Sequence, residues 1–402
     1  MPKLPISDLI KICHKLTIRS LSKDFRNKLT PNDLQSIRRI ESDAVQYNSH
    51  LDINEVAVLL YGCSRLAPKN TPVAGPLCSR INSLYENTNT NNESDLTLEH
   101  ISTIAWSLNR IIKYSEDIPL SIGNTSVLLS HLFTKFVKSC INTFEGELSQ
   151  VFTPKEFSKF SVSFALLDKL LVTPELFSNE SKAENHRIKL EMYDGVNKLV
   201  DGIFLSCLKD CEYAKFNIGA NTLDSESWHI VYIKNGINIL RILLENKCNI
   251  ETVAESFERL FLQLDLTDVK NGKTLADASL IISKGKREYS KGVNATLSEL
   301  SKRDLTFIPN DTLLGIISLL SEHYIQHSEI IENICSEFSN RSYTMPSVND
   351  TVLLVKNLSA LSYRNESMLE LCIRHINNDP GGLSREEFKL LVDSCVRLHL
   401  HT

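Results

Sequence analysis

The stretch that decides the fold is Thr97-Leu98-Glu99-His100-Ile101-Ser102-Thr103-Ile104-Ala105-Trp106-Ser107-Leu108-Asn109-Arg110-Ile111. It opens on a threonine whose side-chain oxygen can accept the free amides of a first helical turn. Apolar residues then recur at Ile101, Ile104, Leu108 and Ile111, steps of three, four and three. That spacing draws one stripe down a helix of 3.6 residues per turn. Three other stretches superimpose on it. Asp52-Ile53-Asn54-Glu55 leads into Val56, Leu59, Cys63 and Leu66, and Thr153-Pro154-Lys155-Glu156 into Phe157, Phe160, Phe164 and Leu167. Ser384-Arg385-Glu386-Glu387 leads into Phe388, Leu391, Cys395 and Leu398. Three of the four carry glutamate at the third helical position, the arrangement of a capping box.

Two more stripes run through Leu313, Ile316 and Leu320, and through Thr351, Leu354, Leu358 and Leu361. Their first positions and Phe388 stand 38 and 37 residues apart. Upstream the steps lengthen to 45 from Val56 to Ile101 and 56 from Ile101 to Phe157, so the earlier units hold insertions. Leu9, Ile12 and Leu16 begin a similar stripe, and the match around Trp228 and Leu275 is poor. Partner helices are expected between the marked ones. Ile330 to Cys335 parallels Met368 to Ile373 at an offset of 38. Thr30-Pro31, Thr71-Pro72 and Thr173-Pro174 each set a cap before proline at a first helical position.

Two helices in 37–38 residues is the size of a helical hairpin repeat. One hairpin cannot bury both its stripes alone, so neighbours must stack. The expectation is an all-α chain, a right-handed superhelical solenoid of stacked helical hairpins. We divide it into an N-terminal array over 1–208, irregular repeats over 209–305, and a C-terminal array of 37–38-residue units over 306–402. Polar insertions are expected at Asn87 to Asp95 and Ser178 to Asn185, with a longer irregular region from Lys209 to Ser227. The helix over 384–398 is left needing a cap, a partner or a further domain on its outer side.

Composition agrees. In 402 residues there are 14 glycines and 12 prolines, well under usual shares of about 7% and about 5%. Strand-rich folds need more glycine turns. No apolar run approaches the roughly 18 residues of a membrane span. The ten cysteines are scattered through apolar helical patterns, which reads as reduced, buried thiols in a cytosolic or organellar compartment. Net charge is −5, unevenly spread. Residues 1–30 hold seven basic side chains against two acids, a net of +5 that leaves −10 on the rest. That basic, amphipathic start reads either as an organellar transit segment or as the first structural helix.

Catalytic motifs are not found. Asn271-Gly272-Lys273-Thr274 ends like a phosphate-binding loop, but Thr267 stands where the first glycine is needed, so it reads as a turn before a helix near Thr274. His323 and His327 have the spacing of a metal pair without a third ligand, as do Cys207 and Cys211 without a second pair. We expect no metal, no cofactor, no small-molecule substrate and no enzymatic activity. Nucleic-acid contact requires cations for phosphates and flat groups for bases. Lys284, Lys286, Arg287 and Lys291, followed by Lys302 and Arg303, form the densest basic cluster, and Arg38 and Arg39 a smaller one. Arg65, Arg110 and Arg397 recur one position before the last stripe residue of three aligned units. In stacked hairpins such a column becomes a ladder able to follow a phosphate backbone. A cation near each helix C-terminus, favourable to the dipole, explains it equally.

Over 52–66, 97–111, 153–167, 310–376 and 384–398 the chain resembles the heptatricopeptide and octotricopeptide repeat families of organelles. It is similar in the same way to FAST-kinase-like proteins and to helical-repeat subunits of the kinetoplastid mitochondrial RNA-editing substrate-binding complex. The resemblance implies a mitochondrial matrix protein that binds organellar mRNA or rRNA, or that joins protein subunits in a ribonucleoprotein, RNA granule or mitoribosome. Its role would be in RNA processing, stability or translation. No RAP domain, with which many such proteins end, is recognised here. The acidic body leaves open a HEAT- or armadillo-like protein scaffold, cytoplasmic or organellar.

Overall fold

A computed structural model describes residues 5–20, 30–66, 73–86, 97–114, 118–143, 148–177, 181–216, 228–341, 347–378 and 383–398. Among these residues there are eighteen α-helices and no strand. They are α1 Ile6–Arg19, α2 Pro31–Tyr47, α3 Ile53–Leu66, α4 Ala74–Glu86, α5 Leu98–Tyr114, α6 Leu120–Thr143, α7 Leu148–Val151, α8 Pro154–Leu171 and α9 Ser181–Phe216. Then come α10 Trp228–Glu245, α11 Glu251–Phe261, α12 Gly272–Lys286, α13 Lys291–Leu300, α14 Asn310–Glu322, α15 Ser328–Asn340, α16 Val348–Ala360, α17 Glu366–Asn378 and α18 Arg385–Arg397. The chain forms two compact units, Met1–Ile203 and Phe204–Thr402.

In the first unit α1, α3, α5 and α8 lie side by side, each packed on the one before. Their stripes make the contact: Val56, Leu59, Ile101, Ile104, Leu108, Phe157, Phe160, Phe164 and Leu167 are all buried. Behind them α2, α4 and α6 pair with α1, α3 and α5, and α6 also packs on α4. Phe133 of α6 stacks on Phe160 at 5.2 Å between ring centroids, and Phe152 meets Phe160 edge-on at 5.6 Å. Gly62 lets α3 approach α1 closely, because a Cβ there would strike the Cys13 sulfur.

In the second unit α10, α12, α14, α16 and α18 form one row, and α11, α13, α15 and α17 the other. Helices α12, α14, α16 and α18 begin at 272, 310, 348 and 385, steps of 38, 38 and 37. The regular spacing therefore reaches back through Leu275, where the stripe alone matched poorly. Each of the turns that follow α10, α12, α14 and α16 passes through a left-handed residue: Lys247, Arg287, Tyr324 and Ser362 have φ of 59°, 55°, 54° and 52°. After three of them an amide reaches back five residues, Cys248 to Leu243, Ile325 to Leu320 and Tyr363 to Leu358, each at 2.9 Å. This bond closes the helix end as glycine usually does.

The expected caps are present. Asp52 and Glu55 exchange backbone bonds of 2.8 and 2.9 Å, and Ser384 and Glu387 do the same at 3.2 and 2.8 Å. Thr30 caps α2 with Asp33 as its reciprocal partner. Several details differ from the sequence reading. Thr173-Pro174 opens only a 3-10 turn over 174–176, since the Thr173 hydroxyl donates back to Lys169 instead of capping. The polar run at 178–185 is helical from Ser181, and Lys209 to Phe216 continues α9. Phe388 is 58% exposed, so the first position of the α18 stripe is not part of the core. Thr71-Pro72, Asn87 to Asp95 and the basic residues Lys23, Arg26 and Lys28 lie outside the described residues. All ten cysteines are free, and all but Cys248 are buried.

Candidate nucleic-acid interface

Each arginine of the first-unit column has an assigned bond. The Nε of Arg65 donates to Ser20 Oγ at the end of α1, at 2.9 Å. The Nε of Arg110 donates to the Ser64 carbonyl in the last turn of α3, at 3.0 Å. Asn109 works in the other direction and donates to the Leu166 carbonyl of α8 at 2.9 Å. The C-terminal half of each helix is thus tied to its neighbour, and the Ser64 carbonyl, in the last turn of α3, is one that a helix end leaves open. A guanidinium has five N–H donors and only Nε is engaged in these bonds.

Helical spacing sets an aromatic one turn before each of these arginines. Tyr61 precedes Arg65 and Trp106 precedes Arg110, and the two rings meet at 4.9 Å between centroids. The Arg110 guanidinium lies over Trp106 at 5.5 Å and over Tyr114 at 5.3 Å, with Lys113 over Tyr114 at 5.5 Å. All three distances fall within the cation–π range. Tyr61, Trp106, Arg65 and Arg110 are half-buried and Tyr114 is 37% exposed. The same row carries Arg19, Arg65, Lys113 and Lys169 in the last turns of α1, α3, α5 and α8. The acidic residues Glu55, Glu99 and Glu156 stand in the first turns, at the opposite ends.

In the second unit the basic cluster divides. Lys286 is bound to Glu258 at 2.7 Å and to Glu288 at 3.0 Å, so it serves the fold. Lys284, Arg287 and Lys291 are exposed around the α12–α13 turn. The Tyr289 ring lies 6.2 Å from that of His323, beside Tyr324, which is 78% exposed. Lys302 and Arg303 both pair with Glu299. Arg397 is exposed at the end of α18, and α14 and α16 stand between it and the α12 end in the row. In the first unit Arg39 pairs with Asp43 at 3.6 Å.

Two clamps escaped the sequence reading. Arg341 donates to the carbonyls of Leu305, Thr306 and Ile308 at 2.7, 2.6 and 2.7 Å and pairs with Glu337. Arg303, 38 residues earlier, donates to the Leu266 and Thr267 carbonyls and pairs with Glu299. The loops they hold share Asp-Leu-Thr, at 265–267 and 304–306, and in both the aspartate accepts from the threonine amide and hydroxyl. The signal was a Glu-x-x-x-Arg pair repeated at 38 residues. A shallow depression of about 590 Å³ opens here, lined by Thr306, Asn310, Glu337, Asn340 and Arg341.

No protein-family model matches the chain, and no curated protein matches it either. Asn271 caps α12 by accepting from the Lys273 amide, and Lys273 pairs with Asp277 at 2.5 Å. His323 sits at the end of α14 beside the Ser283 hydroxyl at 3.2 Å, and His327 precedes α15. Among the described residues no three His, Cys, Asp or Glu side chains are placed to hold a metal. Nor is any described helix long and apolar enough to cross a membrane.

Proposed function

We propose that this chain is a right-handed superhelical solenoid of helical hairpins that serves RNA metabolism in the mitochondrial matrix. It binds organellar mRNA or rRNA directly, or scaffolds protein subunits of a ribonucleoprotein. The reading gives it work in RNA processing, stability or translation, in an RNA granule or beside the mitoribosome, and no catalysis of its own. One observation carries it: repeat-equivalent helices lie side by side, so Arg65 and Arg110 recur at adjacent helix ends with aromatics beside them. A row of equivalent positions forms an extended surface suited to a linear polymer.

The acidic body favours a second reading, a HEAT- or armadillo-like scaffold without RNA contact. Affinity for RNA grows with the number of phosphates neutralised and falls with salt. Filter binding of organellar RNA across a salt series separates the two. A steep salt dependence is expected from the first reading. No retention at low salt, with no RNA in pull-downs, leaves only the scaffold. Imaging a tagged copy tests the compartment, and a purely cytoplasmic signal removes the mitochondrial role.

A further inference from the structure

We infer that the outer face of α3 and α5 is a stacking platform for single-stranded nucleic acid, with Tyr61 and Trp106 taking bases and Arg65 and Arg110 taking phosphates. This inference rests on the nucleic-acid reading above and names the place and the strand state.

The first stripe residues Val56, Ile101 and Phe157 define equivalent registers. Five residues on stand Tyr61, Trp106 and Val162; nine residues on stand Arg65, Arg110 and Leu166. On α1 the matching positions are His14 and Ile18. One column is thus flat or apolar, the next is cationic at its centre, and the rows run across packed helices. Ile18 and Val162, at 53% and 48% exposure, extend the apolar surface on either side. Arg110, held by Ser64 at Nε and laid on Trp106, keeps its remaining donors in a fixed plane next to the ring.

Charge supports the same occupant. Among the described residues of this row the cations stand in the last turns and the glutamates in the first, and the cation of α1, Arg19, is paired with Asp33 of α2 at 2.9 Å. Glu55 and Arg65, ten residues apart on α3, are separated by about 15 Å, beyond a screening length of about 8 Å. A chain of net −5 therefore still offers a phosphate a locally positive edge. Among acids in these last turns, Asp168 is engaged by the Tyr193 phenol. Base faces reach an aromatic only when the strand is unpaired, because a duplex buries them in its own stack.

The test uses the full chain with Trp228→Phe, which leaves Trp106 as the only indole. Oligouridine and an RNA duplex are titrated at low salt while indole fluorescence and labelled-RNA anisotropy are followed. Oligouridine should quench Trp106 and bind at least tenfold more tightly than the duplex. Trp106→Ala and Tyr61→Ser should each weaken it about tenfold or more, as loss of one base stack does, while Trp106→Phe restores most of the affinity. Should Trp106→Ala fail to fold by circular dichroism, Tyr61→Ser and Arg110→Gln decide. Tight RNA binding that these variants do not change, or preference for the duplex, overturns the platform and leaves the nucleic-acid reading standing. No binding of either RNA overturns both.

Discussion

Glu258 is a buried carboxylate with three neighbours of opposite polarity. Burial alone would raise its carboxyl, but bonds from Lys286, Ser290 and the Gly292 amide outweigh that and hold it below the usual range. A Cβ on Gly292 would collide with it, so the glycine is what lets α13 start against the carboxylate. The folded-state value is lowered, so the stabilisation is complete above the ordinary carboxylate range and drains away as pH falls through the lowered value. Glu258→Gln should cost about 2 kcal/mol near neutrality, the scale of bonds to a charged group, and should flatten the acid limb. Urea unfolding at neutral and acid pH measures both. A variant as stable as the parent at each pH would remove this role. Arg341→Ala frees three loop carbonyls and strands Glu337; a loss of about 3 kcal/mol is expected, against almost none for exposed Arg397→Ala.

At the scale of the element, the turns of the second unit end on side chains where glycine is the easy choice. A left-handed backbone costs a residue with Cβ about 1–2 kcal/mol. Ser362→Gly and Tyr324→Gly should therefore raise stability, by up to about 1 kcal/mol each, once the extra freedom of glycine in the unfolded chain is deducted. Thermal melts read the change, and a fall in midpoint for both would refute the geometry. Ser384→Ala, by contrast, removes a reciprocal cap and should cost about 1 kcal/mol. These elements also show what the sequence could carry. Caps at Asp52, Thr153 and Ser384 and the phase of the stripes are local, written within one turn of helix, and were legible. The turns at Lys247, Arg287, Tyr324 and Ser362 were not, because no glycine or asparagine marks them. Thr173-Pro174 misled for a related reason: its hydroxyl had a carbonyl behind it as well as amides ahead.

At the scale of the molecule, each of helices α10 to α17 in the second unit packs on its neighbours in the row and on its hairpin partner. Ile316 is fully buried in α14, which packs on α12 and α16. Ile316→Ala should cost about 2–5 kcal/mol. In a nearest-neighbour stack, hydrogen exchange should speed up most in α14, α12 and α16 and least in α10 and α18. Uniform acceleration across 228–398 would instead mean one indivisible core. The candidate site was only half legible at this scale. Arg65 and Arg110 were found from register alone, yet Tyr61 and Trp106 were passed over, since nothing in one helix announces that rings on two helices will meet. The pairing of Lys286 was not legible either, because its partner Glu258 lies 28 residues away on another helix.

The paired arginine clamps suggest a way to lengthen the protein. Arg303 grips the loop that begins at Asp265, and Arg341 grips the loop that begins at Asp304. A segment cut from 304 to 341 carries one grip and one handhold. Splicing in a second copy between 341 and 347 supplies the new module with both, so the chain should fold one hairpin longer.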